Sequence, residues 1–167
     1  MTTTTTKLQA ESNLALPFRH TLATLAYRAA KTLRGAPEDF ANFRPAPDAR
    51  SAGEILAHLS DLFDWALSLA QGKERWHDSP PQSWSEDSQR FFAALADFDF
   101  YVASGKPMHT SCENIFQGAV ADALTHVGQI AMLRRLAKVP IRPENYSVAN
   151  IETGRVGADQ NKPVREF

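Results

Sequence analysis

Apolar side chains recur at helical spacing in four stretches of the chain. Over about 12–33, Phe18, Leu22, Leu25, Ala29 and Leu33 fall three and four residues apart. They form one stripe, which predicts an amphipathic helix ended by Gly35 and Pro37. A Pro-rich connection at 43–47 follows. The second helix begins at Ser51, which has capping-box spacing to Glu54, and its buried stripe is Ile55, Leu59, Leu62, Ala66 and Leu69. Gln71 and Gly72 stop it. The third starts near Ser83, with Glu86 as the capping-box partner, and turns Phe91, Leu95, Phe98 and Val102 inward. The fourth is predicted from about 117 to 138, after a short turn at 112–116, with Ala119, Ala123, Val127, Ile130 and Leu133 as its apolar set. Its Arg134, Arg135 and Lys138 suit the negative end of a helix dipole.

No stretch alternates over enough residues to predict a strand, so the expected fold is all-α, a four-helix bundle over 12–140. Residues 1–11 contain five consecutive threonines and are expected to be a disordered N-terminal tail. Residues 141–167 lack a helical period but include Tyr146, Val148 and Ile151. They are expected to form an irregular C-terminal extension packing on the bundle.

Composition narrows the function classes. The 167 residues are 43% hydrophobic and 22% charged with a formal net charge of −1, an ordinary globular balance. No basic cluster favours nucleic acid as a partner. No apolar run approaches the length of about 20 residues that spans a bilayer. Cys112 is the single cysteine, which excludes an intrachain disulfide. With no apolar core of a secretory signal behind Met1, the expected location is cytoplasmic.

Candidate chemistry emerges when the helices are projected at about 100° per residue. His58 falls inside the apolar arc of the second helix, between Trp65 and Leu69. His126 falls inside that of the fourth. Asp122 precedes His126 by one turn and lies on the same face. Two inward imidazoles and a carboxylate are a donor set suited to Zn, Ni, Fe(II) or Mn. A buried aspartate is costly unless neutralised, and a cation would neutralise it. The residues alone leave another reading open: ordinary hydrogen-bonded core histidines, with Asp122 paired to an arginine. Glu54 is explained by its cap. Asp61 and Asp64 project to the polar side and are expected to be solvated. His20, His77 and His109 receive no role. Gln129 stands three residues after His126, as a partner of that ring or as an exposed bundle-edge amide. Trp65, Trp76, Trp84 and Tyr146 are candidate pocket aromatics, against the more ordinary reading as core.

The stretch Ser51-Ala-Gly-Glu-Ile-Leu-Ala-His58 resembles the second helix of the DinB/YfiT-like superfamily. The stretch Ala121-Asp-Ala-Leu-Thr-His126-Val-Gly-Gln-Ile130, continued by Leu133-Arg-Arg135, resembles its last bundle helix. Order and separation also agree, and the resemblance covers about residues 12–140. It implies a bundle with one metal between helices, held in most members by three histidines: one on the second helix and two spaced by four on the last. His58 and His126 match two of these, and Asp122 stands in place of the third. The implied set is therefore His58, Asp122 and His126 around one divalent ion, zinc first, with nickel, iron and manganese as alternatives.

Characterised relatives include thiol-dependent S-transferases and a thiol-dependent isomerase, and many others are described as metal-dependent hydrolases. The resemblance thus implies a metal-dependent transferase or hydrolase acting on a small molecule, such as a low-molecular-weight thiol. No catalytic base is identifiable. The alternative is a non-enzymatic protein that binds a metal or small ligand. Such bundles often pair through helix faces, so a homodimer is expected, with Met132 and Leu136 on the outer side of the last helix as the residue-level hint. Asn145 and Tyr146 follow the metal helix, which places the extension to close over the site.

Overall fold

The computed structural model describes residues 16–167, and the tail expected over 1–11 lies outside the described residues. Helix α1 (Thr2–Leu33, described from Leu16) leads through a short 3₁₀ turn (Glu38–Asn42) to α2 (Ala52–Ala70). Next comes α3 (Trp84–Ala103), then a four-residue α4 (Cys112–Ile115). A π-helical turn (Phe116–Val120) continues without a break into α5 (Ala121–Leu136). Among the described residues there is no strand, only one antiparallel bridge between Glu144 and Glu166.

Both predicted capping boxes form. Ser51 Oγ accepts from the Glu54 amide and the Glu54 carboxylate accepts from the Ser51 amide. Ser83 and Glu86 repeat the arrangement. These bonds satisfy amides that the first helical turn leaves without carbonyl partners. Gly72 ends α2 at φ +70°, and its missing side chain leaves room for the His109 ring, which an added Cβ would meet at 2.8 Å. At the other end of α2, Gly53 lets the 3₁₀ turn approach, since a Cβ there would meet the Ala41 carbonyl at 3.0 Å.

The bundle closes in the order α1–α3–α2–α5, with α1 and α2 across the diagonal. Phe18, Leu22, Leu25, Leu56, Leu59, Phe63, Phe91, Leu95, Phe98 and Ile130 fill its centre. No helix is long and apolar enough to cross a membrane among the described residues.

The fourth bundle helix departs from expectation in two ways. It starts at Cys112, capped by Ser111 accepting from the Asn114 amide, and the start predicted near 117 falls inside the π turn, with regular helix resuming only at Ala121. Arg134 lies in the last turn, as expected for the helix dipole, but it is more than an end-of-helix charge. It is buried, and it donates to the carbonyls of Thr32, Arg34 and Val139, so it caps the C-terminus of α1 more than it serves its own helix.

The C-terminal stretch is tied to α1. Glu144 is buried; it accepts from the Tyr27 hydroxyl at 2.6 Å and from Lys31 at 2.8 Å, and Lys31 also reaches Glu166. Tyr146 stacks edge-on against Tyr27 with Arg28 over its ring. The expectation that Asn145 and Tyr146 close over the candidate site is therefore corrected: Tyr146 spends its ring on α1.

Candidate metal centre

The groove between α2 and α5 brings the three predicted residues together. α2 supplies His58 and α5 supplies Asp122 and His126, one turn apart. His58 Nε2 lies 3.4 Å from Asp122 Oδ2, and His126 Nε2 lies 3.4 Å from Asp122 Oδ1. The imidazoles thus straddle the carboxylate, one on each oxygen, with their rings 4.9 Å apart and nearly perpendicular. One ligand atom from each residue falls within 4.8 Å of the other two.

These separations are longer than charge-assisted hydrogen bonds of about 2.7–2.9 Å. They match the spacing of two ligands about 2.1 Å from a tetrahedral ion, which stand about 3.4 Å apart. The donor chemistry also fits. His126 Nδ1 lies 2.7 Å from Gln129 Oε1, and an amide oxygen accepts, so the ring donates there and keeps its Nε2 lone pair for the groove. Gln129 is exposed, as its position at the bundle edge suggested, yet it still orients the ring. Burial lowers the pKa of His58, and the positive fields of His126 and Arg50 add to that against the pull of Asp122. A neutral imidazole is the form that ligates.

Asp122 is 45% exposed, so desolvation does not by itself demand a counter-charge. No arginine pairs with Asp122 among the described residues; its ionic neighbours are the two histidines.

Of the candidate aromatics, two reach the site and two do not. Trp76 packs edge-on against His58 at 5.5 Å, and Trp65 packs on Trp76. Trp84 is buried against Phe40 and donates to the Leu33 carbonyl. Tyr146 lies on α1. An open cavity of about 360 Å³ adjoins His58.

A second cluster was missed. Asp61 is not solvated but 2% exposed, and it accepts from the amide and hydroxyl of Ser79 and from Arg90, each at 2.8 Å. His77 Nε2 stands 3.1 Å from Asp61 and 3.4 Å from Asp64. The connection 71–83 folds back over this part of α2 and carries both Ser79 and His77. The only sequence signal was two carboxylates and a histidine without assigned partners.

No family model matches the chain, and no curated protein or solved structure matches it.

Proposed function

We propose that the chain is a metal-binding protein of DinB-like type that works as a metal-dependent enzyme, an S-transferase or hydrolase, on a small molecule. The observation that carries this reading is the convergence of His58, Asp122 and His126, with no arginine or lysine paired to Asp122 among the described residues. Both imidazoles would hold a divalent ion through Nε2 and Asp122 through its carboxylate, a mixed nitrogen and oxygen set in which zinc ranks first and nickel, iron or manganese are alternatives. Three protein ligands leave a position open, and an ion bound there supplies Lewis acidity that lowers the pKa of a thiol or water.

The chain's own residues prepare that chemistry. Gln129 fixes the His126 ring and its tautomer. Burial lowers the pKa of His58 and so favours its neutral ring. Trp76, backed by Trp65, walls His58 on one side, while the cavity beside it admits a small molecule. Exposed Met132 and Leu136 on α5 support the accompanying proposal of a homodimer, which light scattering would test.

The test of function is a panel of low-molecular-weight thiols with electrophiles and esters, assayed with zinc-loaded and chelator-stripped protein. Zinc-dependent turnover that disappears in His126→Ala is expected. Zinc uptake at the site without any turnover would replace the enzyme by a non-enzymatic binding protein. Absence of uptake would overturn both.

A further inference from the structure

The cavity beside His58 carries more charge than the candidate centre accounts for. Arg44 is spent: it pairs with both oxygens of Glu54 at 2.8 Å and donates to the Ala49 carbonyl. Glu54 is spent on Arg44 and on the Ser51 amide. Asp61 is saturated by Ser79, Arg90 and His77. Three lining side chains remain, Asp48, Arg50 and Asp78. All three are exposed, and among the described residues their side chains have no hydrogen bond or ion pair.

A simple anion entering this cavity would meet Asp48 and Asp78. A simple cation would meet Arg50. A molecule bearing both charges satisfies all three. We propose that the cavity takes the head of a zwitterionic small molecule of the amino-acid type, its carboxylate on Arg50 and its ammonium on Asp48 and Asp78. A guanidinium presents paired N–H donors that match a carboxylate. The volume of about 360 Å³ lies in the range of small-molecule sites. Arg50 and His58 line the same cavity, as do Asp48 and Asp78. The inference rests on reading the groove at His58 as a ligand site, and it does not depend on which metal is held there.

The experiment titrates the full chain with L-leucine, N-acetyl-L-leucine and L-leucinamide, followed by NMR, with stripped and with zinc-loaded protein. These probes carry no thiol. L-Leucine is expected to bind at least about tenfold more tightly than either capped form, the scale of one charge-assisted hydrogen bond. Arg50→Ala should abolish the penalty for amidation alone, and Asp48→Asn with Asp78→Asn the penalty for acetylation alone. These side chains are exposed and unpaired, so the variants keep the fold. Equal binding of the three probes, binding of none, or an unchanged pattern in Arg50→Ala would overturn the proposal. Discrimination by a protein that takes up no zinc would refute the metal reading and leave this one standing. Zinc uptake at His58 without discrimination would do the reverse.

Discussion

α2 carries a histidine at His58 and a carboxylate at Asp61, one turn apart, and each belongs to a cluster of two carboxylates or imidazoles with a third such group. Asp61, Asp64 and His77 also converge: His77 stands 3.1 and 3.4 Å from the two carboxylates, against 3.4 Å from Asp122 to each of His58 and His126. The difference is what has claimed the lone pairs. Asp61 is buried and accepts from an amide, a hydroxyl and a guanidinium, so its charge is already neutralised and its oxygens are occupied. Among the described residues Asp122 has no guanidinium partner, and both imidazoles turn Nε2 towards it. The spacing of ligand atoms is therefore a poor guide to a metal site; the presence of a competing protein cation decides between them.

That contrast can be broken most forcefully at Arg90. Arg90→Ala leaves Asp61 buried without its cation, and Arg90 also faces buried Asp87 at 3.5 Å. Loss of one partner of a buried pair costs about 3–5 kcal/mol, to be read from urea denaturation, while zinc affinity at the other cluster stays unchanged. Asp122→Asn should do the opposite. Folding stability of the stripped protein should move by less than about 1 kcal/mol, because the contacts are long and the carboxylate half-exposed. Zinc affinity should fall by more than about 100-fold, beyond what loss of an outer partner costs. Competition with a chromophoric chelator measures it.

Gln129→Ala comes next. It removes the acceptor of the His126 ring and should weaken zinc binding by about 10–100-fold, with partial rescue in Gln129→Glu. The smallest effect concerns acid. Burial pushes the Asp61 carboxyl up, but the Ser79 amide and hydroxyl and Arg90 outweigh it and hold it below its ordinary value of 3.8. A depressed folded pKa means that its stabilisation is complete above the unfolded value and is lost as pH falls through the lower folded one. The stability gap between wild type and Asp61→Asn should thus persist down to about pH 4 and shrink below it. A gap that narrows already near pH 6 would contradict this account of Asp61.

The two clusters were also unequally legible. The helices up to α3 could be read because their signals are local: Ser51 with Glu54 and Ser83 with Glu86 make the caps that their spacing announces. His58, Asp122 and His126 could be read because their helices pack in a ring that turns apolar arcs inward. Asp122 and His126 both follow the π turn, so the inserted residue does not disturb their spacing. The turn itself has no sequence signature. Asp61 was misplaced because a helical projection knows only helix neighbours. What buries Asp61 is the 71–83 connection, whose path is set by tertiary contacts such as Ser79 and His77. The second role of Arg134 was illegible for a similar reason: the carbonyls it caps are about a hundred residues away in sequence, at the end of α1. The exposure of Asp122 was the remaining error, since the arc of a helix does not report how deep a groove is.

The most direct test of the central claim is anomalous diffraction from a zinc-soaked crystal, recorded on both sides of the zinc edge. The account predicts one strong peak about 2.0–2.2 Å from His58 Nε2, His126 Nε2 and an Asp122 oxygen, and none at the cluster held by Arg90. A peak among Asp61, Asp64 and His77, or no peak between α2 and α5, would contradict it.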